Sequence, residues 1–157
     1  MEKFYKHILI PLDGSKLAEA AVKEGAAIAQ MSMAKITLLS VLQPVEEVIS
    51  IDTHHSIFID EQANIKQQQT YSYLYSIAEK IRDEKTAVHT VIETGNAGEV
   101  IIDYASSHDI DLIVMATHGR SGLKRWVYGS VAEKVLRAAL QPVLLVRSYA
   151  KAAKPQF

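Results

Sequence analysis

The sequence contains no cysteine among its 157 residues, which excludes disulfides, thiol nucleophiles and thiolate metal sites and lends mild support to a reducing compartment. It has no charge excess either. With 17 basic against 18 acidic side chains, there is no bulk field to hold a polyanion, so non-specific nucleic-acid binding has little electrostatic support and a small ligand suits the balance better. Long hydrophobic runs are also missing. The apolar stretch near the N-terminus ends at Asp13-Gly14, too short for a signal-peptide core or a membrane span. The expected setting is the cytoplasm, with no membrane and no nucleic acid as partners.

Several chemistries lose support because their motifs are absent. No G-x-x-x-x-G-K-[ST] loop occurs, so the lysine that reaches a transferred phosphoryl group in P-loop enzymes is missing. No G-x-G-x-x-G follows the first apolar run and there is no G-x-S-x-G elbow, which argues against dinucleotide oxidoreduction and esterase chemistry. A phosphorylated signalling receiver needs a lysine after its fifth strand, whereas here that segment reads Val146-Arg147.

What is present is enough apolar material for one packed core. The chain is 48% hydrophobic and 22% charged, far from the profile of disordered sequences. At this length about two thirds of the unfolded surface can be buried without metal or disulfide help. Residues 7–12 read as a strand buried on both faces, because their Ile-Leu-Ile centre has no polar alternation. Leu17, Ala21 and Ile28 recur at helical spacing over residues 15–31, followed by a β-type run over 36–42. Residues 43–59 show no period and contain Pro44, so they are expected to form a long connection or lid. Leu74, Ile77, Ala78 and Ile81 mark a helix expected to start near Asp60.

Further along, residues 87–92 read as a third strand, and Gly95 and Gly98 bracket the turn into a helix carrying Val100, Ile101 and Tyr104. Residues 111–115 form a fourth buried strand, followed by a loop over 116–129. Ser130 and Glu133 have capping-box spacing ahead of a helix that ends before Pro142, and residues 143–146 are a fifth strand. Alternating strands and helices imply right-handed crossovers and a parallel sheet covered on both faces. The expectation is a single α/β, doubly wound, Rossmann-like domain over 1–147, with a loose tail over 148–157.

In such sheets ligands bind beyond the carboxyl ends of the strands, where the winding direction reverses. The first and fourth strands are the expected central pair, so the loops at Asp13 and Gly119 would flank the site. Glycines let backbone N–H groups approach phosphate oxygens, and a helix N-terminus presents unpaired N–H groups. Gly119, and then Gly129-Ser130 after nine intervening residues, suit a polyphosphate. The same residues also suit an ordinary turn and a helix cap, and the two readings are compatible. Asp13 likewise reads either as a turn residue or as a ligand contact at the switch point.

At this point the sequence resembles a known family. The segment from Met115-Ala116-Thr117-His118-Gly119 through Gly129-Ser130-Val131 to Val143-Leu144-Leu145-Val146, together with the opening Ile8-Leu9-Ile10-Pro11-Leu12-Asp13-Gly14-Ser15, is similar to the universal stress protein family. Its ATP-binding branch carries a glycine, two residues, a glycine, nine residues, then glycine and serine or threonine. Ala116 stands at the first glycine position, the one departure from that pattern. The resemblance implies a five-stranded sheet of order 3-2-1-4-5 and an ATP site, with AMP or ADP as alternatives and Mg²⁺ bridging the phosphates. It places Gly119, Gly129, Ser130 and Val131 on the phosphates, Met115 and Ala116 near the ribose and phosphate, Asp13 and Pro11 by the nucleoside, and Val41 at the adenine edge. Arg120 is a further phosphate candidate.

The resemblance also implies a homodimer through residues 143–146 and a regulatory, stress-response role without dedicated catalysis. Slow ATP hydrolysis and a nucleotide-free interaction protein are the alternatives. His118 has no recognisable triad partner. His54-His55 lack the further ligands a metal needs; Lys124 and Arg125, like Arg120, either screen phosphate charge or are simply solvated, and Trp126 and Tyr128 pack the loop or face a partner.

Overall fold

In a computed structural model, the chain is described over residues 5–44, 53–119 and 129–149, with side chains omitted at 53–60, 118–119 and 148–149. Five strands, β1 (His7–Pro11), β2 (Lys35–Leu42), β3 (Val88–Thr94), β4 (Leu112–Gly119) and β5 (Val143–Tyr149), alternate with four helices. These are α1 (Glu19–Ser32), α2 (Thr53–Ile81), α3 (Ala97–Ser107) and α4 (Ser130–Ala138). The sheet is entirely parallel in the order β3-β2-β1-β4-β5, the expected doubly wound arrangement.

Strand alternation divides the core between the two faces. Ile8 and Ile10 of β1 and Leu112 and Val114 of β4 pack on one side with Ala21, Val22 and Ala29 of α1 and Leu74, Ile77 and Ala78 of α2. Leu9, Leu39, Ile113 and Met115 face the other side, against Ile101 and Ala105 of α3 and Ala132 and Val135 of α4. Helices on both sides explain why the strands read as continuous apolar runs. On the first face α1 lies close to the sheet at Gly25, where a Cβ would come within 2.5 Å of Ile10 Cδ1; a side chain there would force Ile10 to repack.

Several boundaries differ from the sequence-based expectations. Residues 53–59, read as part of a long connection, belong to α2, which starts at Thr53 rather than near Asp60; residues 45–52 lie outside the described residues. The stretch 116–119, read as the start of a loop, is strand: Ala116 pairs with Val146 and Gly119 with Tyr149. Ladder hydrogen bonding to β5 outweighs the turn preference of that polar, glycine-bearing segment. The same pairing draws Ser148 and Tyr149 out of the expected tail.

Ser130 is not a capping residue either. Gly129 occupies the N-cap, its carbonyl accepts from the Glu133 N–H at 2.9 Å, and no side chain among the described residues caps the helix. Ser130 becomes the first helical residue.

Candidate functional site

β1 and β4 are in register at Ile8↔Leu112 and Leu9↔Ile113. Beyond those pairs the connections leave on opposite sides: β1 leads to α1 on one face, β4 to α4 on the other. This is the switch point, and it opens into a cavity of about 230 Å³. Its walls come from the β1 end and the following turn (Pro11, Leu12, Asp13, Ser15), from β2 (Leu39, Val41) and from β4 (Met115, Ala116, Thr117). The starts of α3 (Ala97) and α4 (Ser130, Val131, Ala132), together with Gly129, complete them.

The turn at the β1 end is built by its own side chains. One Asp13 carboxylate oxygen accepts the Ser15 N–H at 2.9 Å, Gly14 takes φ 84°, and the Ser15 hydroxyl accepts the Ala18 N–H at 3.1 Å. The left-handed φ is the reason for glycine at that position. Asp13 therefore acts as a turn residue and as a wall of the cavity at once. Nearby, the Tyr73 phenol of α2 is buried without a hydrogen-bond partner of good geometry, and its pKa is pushed up to about 12. Burial is the main cause, followed by the carboxylates of Glu19 and Asp13. The Asp13 carboxylate puts a negative charge on the β1 side of the cavity wall.

The β4 side is its opposite. The first N–H groups of α4 have no intrahelical acceptor, no side chain among the described residues caps them, and the helix dipole adds positive potential there. Gly129 has φ −60°, and a Cβ on it would meet nothing within 4 Å. Neither backbone conformation nor packing requires glycine at Gly129; an absent side chain leaves the helix start open to an approaching group.

Ala116 lies in regular strand, and the non-glycine residues with positive φ among those described are Met33 and Asp109. Alanine at that position therefore carries no backbone strain, only a methyl group on the cavity wall.

Of the residues singled out from the sequence, Pro11, Asp13, Val41, Met115, Ala116, Gly129, Ser130 and Val131 line this one cavity. Gly119 sits at the end of β4, paired with β5, and its surroundings lie outside the described residues. Arg120 lies outside the described residues, as do Lys124, Arg125, Trp126 and Tyr128, and the side chains of His54, His55 and His118 are not described. Among the described residues no cluster of His, Asp and Glu could hold a metal ion, and no helix is long and apolar enough to cross a membrane.

Sequence reading did not single out Thr117 or the α3 start at Ala97. A signal for the latter existed in Gly95-Asn96, where the Asn96 side chain accepts the Glu99 N–H as a cap. Thr117 was hidden by the assumption that strand ended at Met115.

Comparison with known proteins places this geometry in context. Residues 4–147 match the universal stress protein family. The universal stress protein MJ0577 of Methanocaldococcus jannaschii is 28% identical over 158 residues, covering 94% of this chain and 98% of its own. A solved structure of MJ0577 superimposes with a TM-score of 0.77 at 30% identity, covering 95% of this chain and 100% of that one. Universal stress protein MJ0531 of the same organism is 33% identical, over 93% of this chain and 84% of its own. The universal stress protein UspA of Lactobacillus plantarum has a TM-score of 0.71 at 29% identity, covering 93% of this chain and 100% of that one. More distant structures share the fold at TM-scores of 0.68, 0.62 and 0.62 and identities of 19%, 18% and 16%, over 92%, 91% and 96% of this chain and 98%, 98% and 97% of theirs. They are a universal stress protein in complex with cAMP, one from Archaeoglobus fulgidus in complex with dAMP, and one from Arabidopsis thaliana with AMP bound.

Proposed function

The chain belongs to the universal stress protein family, and we propose that it binds ATP, or AMP or ADP, in the switch-point cavity and acts through occupancy of that site rather than by catalysis. The observation that carries this reading is the polarity of the cavity. An apolar middle formed by Leu39, Val41 and Met115 suits a purine ring. Asp13 at the β1 end, with one carboxylate oxygen held by Ser15, suits a sugar hydroxyl that donates to it. The open start of α4 at Gly129, Ser130 and Val131 suits a phosphate. A nucleotide is a base, a sugar and a phosphate in that order, and its charge distribution follows that of the walls. The bound adenine nucleotides of the distant relatives support the same class.

Regulation is favoured over chemistry because no lysine, arginine or histidine is among the described residues of the cavity wall to serve phosphoryl transfer. Asp13 is the one described carboxylate on the wall that could face Mg²⁺ on the phosphates. A homodimer through β5 is proposed with the same role. β5 is an edge strand, and Leu136, Leu140 and Leu144 on and beside it are exposed, an apolar surface that invites pairing. A single-chain mass by light scattering at micromolar concentration would remove the dimer.

Titration calorimetry with ATP, ADP and AMP tests the binding site, using the parent and Gly129→Ser. Serine is as good an N-cap as glycine or better, so the variant folds with equal stability. Its side chain fills the open approach, and affinity is expected to fall at least tenfold. No heat from the parent with any of the three nucleotides overturns the assignment, and full affinity in Gly129→Ser moves the phosphate elsewhere.

A further inference from the structure

α3 and α4 pack side by side on one face of the sheet, and both present their first turns to the cavity: Ala97 from α3, and Ser130, Val131 and Ala132 from α4. These two walls meet at Gly98 and Lys134. Gly98 is buried in the first turn of α3 and has no need of glycine's backbone freedom, since the described glycines of positive φ are Gly14 and Gly95. Glycine within a helix is about 1 kcal/mol less favourable than alanine, so packing must account for it. A Cβ on Gly98 would lie 2.7 Å from Cδ of Lys134 and 3.2 Å from its Cβ and Cγ. The lysine stem therefore lies flat on the α3 backbone. Its ammonium group is tied to the same turn, donating to Glu99 Oε1 at 2.6 Å and to Asn96 Oδ1, the α3 cap, at 3.5 Å. With the two side chains of the ion pair 41% and 62% exposed, the charges contribute at most about 1 kcal/mol. They orient the stem, and the stem sets the spacing.

We infer that Gly98 and Lys134 are positioning residues that fix the width of the cavity between its α3 and α4 walls. This role rests on the nucleotide reading above and goes beyond it. Neither residue is part of the cavity wall, so both act through the helices they hold. Carbon atoms in contact stand about 3.5–4.0 Å apart, and alanine at 98 would thus displace the stem by roughly 1 Å. The Cβ of Lys134 is fixed to the α4 backbone and cannot swing aside, and a close-packed interface transmits the push to the helix. A binding constellation holds its geometry only within about 0.5 Å.

The test is a double-mutant cycle read by calorimetry with AMP on the parent, Gly98→Ala, Lys134→Ala and Gly98→Ala/Lys134→Ala, with folding checked by thermal unfolding. The higher helix propensity of alanine offsets the strain it introduces, so Gly98→Ala folds. Its AMP affinity should fall about tenfold. Lys134→Ala leaves a gap in place of the stem and should lose about fivefold. In the double variant the new methyl group occupies that gap, and affinity should return to within about threefold of the parent. Alanine at 98 is thus harmful beside Lys134 and helpful without it. Asp111→Ala, at the opposite end of the sheet, serves as a destabilised control and should keep the parent affinity.

Parent affinity in Gly98→Ala overturns the inference and leaves the nucleotide reading standing. Losses that multiply in the double variant show that the two residues act separately, and overturn it as well. So does a loss at Asp111→Ala equal to that at Gly98→Ala, because affinity would then follow stability alone. A parent that gives no heat with AMP, ADP or ATP brings down both readings.

Discussion

The two ends of the β-sheet treat their polar groups in opposite ways. At the amino end His7 is 6% exposed and completely engaged: Nδ1 faces the His108 carbonyl at 3.1 Å and Nε2 the Thr37 hydroxyl at 2.8 Å. A carbonyl only accepts, so Nδ1 carries the proton and Nε2 accepts from Thr37. One Asp111 oxygen accepts the N–H groups of Lys6 and His7 at 2.9 and 3.0 Å. At the carboxyl end the Thr117 hydroxyl has no partner among the described residues and the α4 start has no side-chain cap. A buried histidine beside an aspartate resembles catalytic machinery, yet its closed network marks it as structure. The open donors across the sheet mark a place where a ligand finishes the bonding.

This contrast can be broken by experiment, and the largest expected effect is at Asp111. Asp111→Ala removes the acceptor of two backbone N–H groups and should cost about 2 kcal/mol of stability, measured by urea unfolding, with nucleotide affinity of the folded protein unchanged. Gly129→Ser should do the reverse, with stability kept and binding lost. A fall in affinity at Asp111→Ala without loss of stability would dissolve the division between the two ends.

The next effect is the pH response of His7. Burial first, then the charge of Lys35 and the proximity of His89, lower its pKa below 6.5, against the opposing influences of the His108 carbonyl and Asp111. Below pH 6.5 the unfolded chain therefore binds a proton that the folded chain resists, and stability falls with falling pH until the lowered folded value is passed. Above 6.5 His7 contributes no slope. Urea unfolding between pH 7.5 and 5 should show this loss, and His7→Gln should flatten it; an unaltered slope in the variant places the titration elsewhere.

The smallest effect is expected at Ala116→Gly. The strand conformation gives glycine no benefit there, so the variant should lose about 0.5–1 kcal/mol of stability. Its ATP affinity should stay within about threefold of the parent. A gain beyond tenfold would show that the methyl group obstructs the ligand.

Much of the architecture could be read from residues alone. Ile8-Leu9-Ile10 and the run over 112–115 announced the central strands because a strand covered on both faces tolerates no polar position. Leu74, Ile77 and Ala78 located the inward stripe of α2, and all three are buried. Its first turns, residues 53–59, were not legible, because the sequence over 43–59 shows no apolar period. At the site Asp13 and Gly129 were legible through their places at a strand end and a helix start, whereas Val41 and Met115 came from the family resemblance. Thr117 was not, because its neighbours His118 and Gly119 read as turn while the ladder to β5 keeps them in strand.

By itself the sequence determined which segments are apolar enough to be central strands, which turn needs Gly14, and that no thiol, P-loop or dinucleotide fingerprint is available. Those properties are local, decided by side-chain chemistry and backbone sterics within a few residues. Only the tertiary structure decided where β4 ends, which of Gly129 and Ser130 caps α4, and whether a buried hydroxyl is paired or left facing a cavity. Each depends on groups distant in sequence coming within hydrogen-bond reach. His7 finds Thr37 and the turn at His108, whereas the Thr117 hydroxyl finds no such partner among the described residues.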